Sequence, residues 1–553
     1  MGNALWLNLG EMLRVNSVKY PHKTAFKDKS SAQTFSQLNR RVNKLSHLLL
    51  GLGLQKGDKI SCFLENCLEI VELYLACAKT GIIINPINFR LNGSDVSYII
   101  NNADSKALFV HSEFTPLIES IRNSLAQVKH YFIIPCAEHR SGAPIPDGHR
   151  DGRERTGAHR EHNSPGIPAD IAPALRRKYG DYELSLKEMP DAEPNCPVKP
   201  DDIWVLLYTS GTTGQPKGVL RSHESYIAFY LINAGDFGFM PGDICLNVMP
   251  LCHVNTTFFS FAITYMGGSV YVHPARRFDP NEILQVIERE KITFISLIPT
   301  HYHLLLNLPE DIRGKYNVSS IKKLLCSSAP ARGNIKKQVM DYFKGVELYE
   351  GYGSTEAGIV TVLRPEEQLA KAGSIGRESS GTDCIKLLDS KRREVANGQV
   401  GELYSRGPML FSGYYKLPAK TQSAFCGEWF SAGDMARKDA DGYYYLIDRK
   451  DNMIISGGEH IYPSEIEEVL TCHPKIFEAA VIGLPDDKWG EKVIAVVSLK
   501  DNASACEEEI IEFCRDKMAS YKKPKTVKFL PVKDMPRTAS GKILHRELRR
   551  LFS

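Results

Sequence analysis

The segment that most strongly indicates the fold is Tyr208-Thr209-Ser210-Gly211-Thr212-Thr213-Gly214-Gln215-Pro216-Lys217-Gly218. It follows the apolar run Ile203 to Leu207, which predicts a buried strand. Small hydroxyl side chains and glycines let the backbone turn tightly and point its N–H groups at an anion, and Lys217 adds a mobile positive charge. We therefore interpret the residues from Thr209 to Lys217 as a loop that binds a polyphosphate.

This loop is not a Walker A motif. Gly211 and Lys217 enclose the wrong number of residues, and neither Ser nor Thr follows the lysine. The alternative is an ordinary Gly/Thr surface turn, and the other motifs of the chain decide between the two.

Composition excludes several classes of protein. A chain of 553 residues predicts two or more domains, and 43% hydrophobic with 24% charged residues is typical of a soluble globular protein. The net charge of +4 gives no case for a nucleic-acid partner or a membrane surface. The 13 cysteines are scattered without a CxxC pair, which favours reduced thiols over disulfides or a zinc site.

The sequence gives no sign of export. No apolar run is long enough to span a bilayer, so we expect no integral membrane segment. The N-terminus from Met1 to Trp6 lacks a basic region followed by an apolar one, which argues against a signal peptide. We expect a cytoplasmic protein, and we leave open whether it forms a homodimer.

Alternating element patterns predict an α/β fold. A helix from Thr34 to Leu49 precedes a strand at 59–64, a helix at 68–79 and a strand at 82–84. Such alternation favours parallel sheets covered on both faces. The strand- and turn-rich segment from Val400 to Asp448 indicates a β subdomain. A helix at 463–470, strands at 478–482 and 492–499, and a helix at 507–518 form a separate small α+β unit.

The segment from Ile133 to Lys178 has a different character. It contains no Phe, Tyr or Trp, one Lys, and many Gly, Pro, His and Arg residues, so it cannot bury a core of its own. We interpret it as an irregular insertion, or as a segment whose reading frame has shifted, and assign it no function.

Three candidate ligand loops follow predicted strands. Strands are expected at 244–249, 269–272, 294–297, 323–326 and 347–349, and ligands in such sheets bind at the carboxyl ends of strands. The loops are Pro250 to His253, Ser327 to Pro330, and Gly351 to Glu356.

Four motifs carry a resemblance to a known family. They are YTSGTTGQPKG, YGSTE, GEWFSAGDMARKDADGYYYLIDRKDNMIISGGEHIYPSEIE and PRTASGKI, in this order. In order and spacing the chain resembles acyl-CoA synthetases of the adenylate-forming superfamily, which includes peptide-synthetase adenylation domains and beetle luciferases. The resemblance covers the chain outside 133–178. It implies a large N-terminal domain (1–450), a small mobile C-terminal domain (451–553), and an active site between them.

The resemblance implies a two-step reaction with ATP, Mg²⁺ and coenzyme A. A carboxylate first attacks the α-phosphorus of ATP, and no general base is needed because an acid of pKa ~4 to 5 is already ionised at neutral pH. The site should instead supply fixed positive groups, since an anion approaches a polyanion. The second step is attack of the coenzyme A thiol on the acyl-adenylate.

Residue roles follow from the family pattern. The implied nucleotide contacts are the loop from Thr209 to Lys217 on the β- and γ-phosphates, Thr355 on the α-phosphate, Tyr352 and Ser328-Ala329-Pro330 around adenine, Asp434 on the ribose hydroxyls, and Arg449 on ribose and phosphates. Glu356 matches the Mg²⁺ ligand, a hard oxygen donor. Lys542 matches the catalytic lysine that neutralises charge between carboxylate and α-phosphate. Asp451 matches the hinge, and Gly457 and Gly458 the loop that lines the pantetheine tunnel.

The resemblance implies a carboxylate substrate, and the sequence restricts the range of possible acids only in part. His253 matches the gate beside the acyl tunnel, although a core or capping histidine is the alternative. No aspartate stands near it to hold an α-amino group, which disfavours an amino acid. Acetate-specific relatives have a tryptophan at the place of Gly353, so we expect an open pocket here and an acid of medium-chain, cyclic, aromatic or carnitine type. Phe258, Phe259 and Phe261 are candidates for its lining or for the core.

Three other functions share some of these motifs. An enzyme that loads a carrier-protein phosphopantetheine is the first alternative, because it uses the same adenylation step. A non-catalytic sensor is expected to have lost Lys542 or Glu356, and both are present. An oxygenase of the luciferase kind shares the adenylation motifs but needs a special substrate.

Overall fold

The computed structural model describes residues 8–135, 178–209, 215–274, 276–327, 333–537 and 543–553. In chain order the strands are β1 Thr24–Lys27, β2 Ala32–Thr34, β3 Lys59–Phe63, β4 Ile83–Pro86, β5 Ser105–His111, β6 His130–Ile134, β7 Gly180–Asp181, β8 Ile203–Thr209, β9 Lys217–Ser222, β10 Ile244–Asn247, β11 Ser269–Val272, β12 Phe294–Leu297, β13 Lys323–Ser327, β14 Glu347–Ser354, β15 Gly358–Leu363, β16 Arg377–Glu378, β17 Lys386–Leu388, β18 Val400–Tyr404, β19 Gly413–Tyr414, β20 Phe425–Cys426, β21 Trp429–Phe430, β22 Asp434–Lys438, β23 Tyr444–Arg449, β24 Ile454–Ser456, β25 Glu459–Ile461, β26 Ile476–Asp486, β27 Gly490–Leu499 and β28 Thr526–Phe529.

The α-helices connect these strands. They are α1 Leu9–Lys19, α2 Phe35–Gly51, α3 Leu68–Thr80, α4 Gly93–Asn102, α5 Thr115–Ile121, α6 Tyr182–Lys187, α7 His223–Phe237, α8 Val254–Tyr265, α9 Pro280–Glu290, α10 Pro299–Leu306, α11 Glu310–Arg313, α12 Gly333–Tyr342, α13 Pro418–Ser423, α14 Pro463–Thr471, α15 Glu507–Phe513 and α16 His545–Phe552. Helix α2 begins at Phe35, one residue after the predicted start, because Thr34 is its N-cap and forms a capping box with Gln37.

Two sheets form the bulk of the molecule. One has the strand order β16-β15-β14-β13-β12-β10-β11-β1-β2, and the other β19-β9-β8-β4-β3-β5-β6-β7. Pairing is parallel through β10 to β14 and through β3 to β6, and antiparallel at β8–β9 and β14–β15. The predicted α/β fold with parallel sheets is confirmed.

The largest apolar core joins both sheets to the helices between them. At its centre Trp204 is fully buried, and its ring centre lies 4.8 Å from that of Tyr226 and 5.5 Å from that of Phe261. The indole Nε1 donates to the carbonyl of Tyr74 at 2.8 Å, so its one polar group is satisfied. Strand β8, which ends at Thr209, is therefore anchored in the core.

Two smaller sheets follow in the chain. Strands β17-β18-β22-β23 form an antiparallel sheet within the predicted β subdomain. Strands β24 to β28 form a separate sheet with its own apolar core, packed by α14 and α15. The large N-terminal and small C-terminal units match the predicted architecture.

Three sequence predictions need correction. Residues Gly351 to Ser354, predicted to be loop, continue β14 because they pair with β15. The helix expected at 507–518 ends at Phe513. The predicted insertion begins inside a strand, because Ile133 and Ile134 are buried in β6, while residues 136–177 lie outside the described chain.

Candidate active site

The antiparallel hairpin β8–β9 flanks the phosphate loop. Thr209 is the last residue of β8 and pairs in register with Lys217, the first residue of β9. The ammonium group of Lys217 lies 5.3 Å from the centre of the Tyr414 ring. Burial and the neighbouring Lys420 lower the pKa of Lys217 to about 8, against the opposing effect of Glu356 and Asp451. Lys217 is thus a partly buried cation at the base of the loop.

Nine predicted site residues lie outside the described chain. They are Ser210, Gly211, Thr212, Thr213, Gly214, Ser328, Ala329, Pro330 and Lys542. Their assigned contacts stay predictions.

Tyr352, Asp434 and Arg449 come together from three strands. The Tyr352 hydroxyl donates to Asp434 Oδ2 at 2.7 Å, and Arg449 Nε lies 2.9 Å from Oδ1. Asp434 and Arg449 face each other in the β22–β23 register, which explains how residues 15 positions apart meet. The Asp434 charge raises the pKa of Arg449, and burial followed by the same charge raises that of Tyr352. Both oxygens of a largely buried carboxylate are therefore oriented by fixed donors.

Thr355 and Glu356 lie in the turn between β14 and β15. The Tyr414 hydroxyl donates to Glu356 Oε1 at 2.8 Å, and the N–H of Phe411 donates to the Glu356 carbonyl at 2.7 Å. Burial and the charge of Glu356 raise the pKa of Tyr414 above its usual range, so its hydroxyl stays protonated and donates. An oriented carboxylate beside the β8–β9 hairpin fits the hard-oxygen donor that Mg²⁺ takes.

His253 stands at the start of α8. Its backbone caps the helix, and among the described residues its Nε2 has no hydrogen-bond partner. Burial and the nearby Arg90 lower the pKa of His253 to about 4, so the ring is neutral at pH 7. Two residues on, the Asn255 amide donates to Ser327 Oγ at 2.8 Å, which ties this helix start to the end of β13.

Contrary to the expectation, the structure leaves no open space for a side chain at Gly353. A Cβ at this position would lie 1.9 Å from the carbonyl oxygen of Gly358, so the glycine permits close approach of β14 and β15. The three candidate aromatics Phe258, Phe259 and Phe261 are buried in the core. The core alternative therefore holds for them.

The predicted hinge lies in the short 3-10 turn Lys450–Asn452 between β23 and β24. Arg549 of α16 donates to the carbonyls of Asp451 and Asn452, both at 3.1 Å. Gly457 and Gly458 form the turn between β24 and β25, with φ of 60° and 84°. Such angles favour glycine, which explains the Gly-Gly pair.

A second group of metal-ligand type side chains lies elsewhere. Glu65, His111 and Glu113 have ligand atoms within 4.8 Å of one another. Arg276 forms ion pairs with both glutamates, so one of their two negative charges is already balanced. His111 Nδ1 accepts from the Glu65 N–H at 3.1 Å. This cluster fits a structural role better than an ion site.

Sequence reasoning missed Arg221, Tyr414 and Arg549. Tyr414 and Arg549 carry no signal in sequence, because their partners are distant in the chain. Arg221 has one: it is a charged residue that directly follows the apolar pair Val219 and Leu220 in β9.

In the parts of the chain that the structure describes, no helix has both the length and the apolarity needed to cross a membrane.

Comparison with known proteins agrees with this geometry. The profile of the AMP-binding enzyme family matches residues 13–415, and that of the AMP-binding enzyme C-terminal domain matches 465–542. A feruloyl-CoA synthase of Amycolatopsis sp is 31% identical over 535 residues, 96% of each chain. A long-chain-fatty-acid–CoA ligase of Mycobacterium tuberculosis is 32% identical over 554 residues, 99% of each chain.

Solved structures show the same fold. The crystal structure of an anthranilate CoA ligase in complex with anthranoyl-AMP superposes with a TM-score of 0.82 at 28% identity, covering 98% of this chain and 97% of the other. Family profiles over most of the chain, full-length relatives and the shared fold lead to one conclusion: the chain belongs to the AMP-binding enzyme family and is an AMP-forming acyl-CoA synthetase of the adenylate-forming superfamily.

Proposed function

We propose that this enzyme activates a carboxylic acid larger than acetate, of medium-chain, cyclic, aromatic or carnitine type. The relatives described above are named for feruloyl, long-chain fatty acyl and anthranilate substrates, all larger than acetate. The observation that carries the site assignment is the meeting of Tyr352, Asp434 and Arg449.

The nucleotide would be bound by this cluster and the phosphate hairpin. Asp434 accepts the ribose hydroxyls, Tyr352 stacks on adenine with Ser328-Ala329-Pro330 on the other side, and Arg449 reaches ribose and phosphates. The support is electrostatic: Arg449 balances a largely buried carboxylate and is itself half exposed, so it can reach a ligand. The residues from Thr209 to Lys217 surround the β- and γ-phosphates.

Thr355 and Glu356 would act at the reacting phosphorus. Thr355 contacts the α-phosphate, and Glu356 is the protein ligand to Mg²⁺. When bound, Mg²⁺ neutralises phosphate charge. The hydrogen bond from Tyr414 holds the Glu356 carboxylate at the end of β14.

Adenylation needs charge neutralisation rather than a base. A carboxylate oxygen forms a bond to the α-phosphorus while the bond to pyrophosphate breaks, and Lys542 neutralises the charge that gathers between the two. The coenzyme A thiol then loses its proton, its sulfur bonds to the acyl carbon, and AMP leaves. His253, which is neutral at pH 7, would be the gate beside the acyl tunnel.

The two steps would use two orientations of the C-terminal domain. We place the boundary at 450/451 and the hinge at Asp451. Gly457 and Gly458 then line the pantetheine tunnel, where glycines allow close approach. Two hydrogen bonds from Arg549 support this assignment, because they hold the backbone at 451 and 452 in the present arrangement. Cytoplasmic location is proposed from the cysteines, none of which pairs in a disulfide among the described residues.

A carboxylate panel tests the function. Acetate, hexanoate, benzoate, cyclohexanecarboxylate and carnitine are each assayed for AMP release with ATP and Mg²⁺, with and without coenzyme A. We expect coenzyme A-dependent AMP release for at least one acid other than acetate. Acid-dependent pyrophosphate exchange without turnover of free coenzyme A would favour the carrier-protein loading enzyme. Preference for acetate would contradict the proposed substrate class.

A further inference from the structure

A buried arginine connects the phosphate hairpin to the rest of the site. Arg221 lies in β9, four residues after Lys217, and is fully buried. A guanidinium has five N–H donors, and removing it from water is costly unless those donors are satisfied. The groups that satisfy Arg221 therefore show what the residue holds in place.

Its terminal nitrogens donate to backbone carbonyls of two separate segments. Nη1 donates to Thr355 at 2.7 Å, with a longer contact of 3.5 Å to Glu356, and Nη2 donates to Met409 at 2.6 Å. The first two residues form the turn after β14, and the third precedes β19. Bonds from a charged donor are stronger than neutral ones, so this guanidinium fixes both segments against β9.

Aromatic rings cover the guanidinium. Its central carbon lies 4.8 Å from the centre of Phe258 and 5.2 Å from that of Tyr226. These contacts favour a cation without competing for its N–H donors. Burial lowers the pKa of Arg221 to about 10, so the group remains charged at neutral pH.

The partners of Arg221 differ from those of an ordinary structural ion pair. Among the described residues its hydrogen bonds run to peptide carbonyls and not to a carboxylate, and its Nε has no partner. Its positive charge lies next to the Thr355–Glu356 turn, where the Glu356 carboxylate acts on it without a direct ion pair among the described residues. We propose that Arg221 is a positioning residue, which holds that turn in the orientation needed for phosphate and Mg²⁺. This rests on the roles proposed for Thr355 and Glu356.

Replacing Arg221 should displace the Thr355–Glu356 turn. Arg221→Met keeps the apolar packing but deletes the donors. A displacement of about 1 Å at a reacting centre costs roughly 10²-fold, so we expect that loss in the rate of pyrophosphate exchange. The half-saturating Mg²⁺ concentration should rise about tenfold, which is ~1.4 kcal/mol of weaker binding. Arg221→Lys can bond to one segment only, and we expect it to recover part of both effects.

Lys79→Met is the matched control. Lys79 is also a buried cation, but it contacts Asn39 and Asn43 on α2 and Glu193, none of which belongs to the site. This variant should lower the thermal midpoint without changing the Mg²⁺ requirement. AMP affinity, measured by calorimetry without acid or metal, gives a readout independent of turnover, and should fall in Arg221→Met but not in Lys79→Met.

Glu356→Gln separates this inference from the proposed function. If that variant leaves the Mg²⁺ requirement unchanged, the metal assignment of Glu356 is at fault. If Glu356→Gln shifts the requirement but Arg221→Met matches Lys79→Met in Mg²⁺ requirement and AMP affinity, Arg221 is only structural and the inference is overturned. Should Arg221→Met fail to fold, Arg221→Lys decides by the same two measurements.

Discussion

Gly353→Ala tests whether the close packing of β14 against β15 holds the proposed nucleotide-binding residues in place. An added Cβ would lie 1.9 Å from the carbonyl oxygen of Gly358 and 3.0 Å from the Cα of Ile359. Both neighbours are backbone atoms in paired strands, so no side chain can rotate away. To reach a contact of about 3 Å, β14 and β15 must separate locally by about 1 Å. Such overpacking costs typically 1–3 kcal/mol.

The shift of β14 would displace residues on both sides of Gly353. Tyr352 precedes it and donates to Asp434, and the turn at 355–356 begins two residues later. Because a 1 Å error at a reacting centre costs about 10²-fold, we expect pyrophosphate exchange to fall by that factor. The loss should be equal for acetate, hexanoate, benzoate and cyclohexanecarboxylate, since the nucleotide site and not the acyl pocket is disturbed.

Gly351→Ala is the control on the same strand. Its Cβ would lie 3.4 Å from Leu325 Cδ1 and 3.7 Å from Ile359 Cδ1, which are side-chain contacts at ordinary distances. We expect exchange within about threefold of the unmodified enzyme. The reasoning is refuted if Gly353→Ala keeps full exchange activity, or if it reverses the order of acids. Reversal would mean that residue 353 shapes the acyl pocket after all.

Three further predictions address the lysine, the hinge and stability. Lys542→Ala should lower adenylation about 10²–10³-fold while thioester formation from supplied acyl-adenylate persists; equal loss of both half-reactions would contradict the assigned role. Asp451→Pro should keep pyrophosphate exchange and stop thioester formation, because proline fixes φ at the hinge, and parallel loss would place the hinge elsewhere. Burial lowers the pKa of His223 to about 3, so its contribution to stability is complete above pH 6.5 and falls as pH decreases, by up to about 1.4 kcal/mol per unit. His223→Asn, which can still accept from the Leu9 N–H, should flatten thermal midpoints between pH 7 and 5 relative to the unmodified chain; an unchanged slope would contradict this.

Local patterns predicted most elements of the fold. The strands Ser269–Val272 and Phe294–Leu297 have the predicted bounds, and α3 and α14 differ from prediction by one residue at one end. These segments have a clear apolar period and strong end signals, so short-range information suffices. The prediction was wrong at 351–354, where small polar residues and glycines resemble a loop. Pairing with β15, a long-range contact, makes that segment a strand.

The sequence by itself determined the class of this protein, because its four motifs lie in contiguous stretches whose residue types and order are specific. It also predicted that Tyr352, Glu356, Asp434 and Arg449 share a site. Only the tertiary structure decided how they are held. Three hydrogen bonds join residues that are far apart in sequence: Tyr352 and Asp434 are separated by 82 positions, Glu356 and Tyr414 by 58, and Arg221 and Thr355 by 134. Contacts at such separations depend on strand register and sheet order, which no local pattern encodes. The same register brings β15 so close to Gly353 that no side chain fits there.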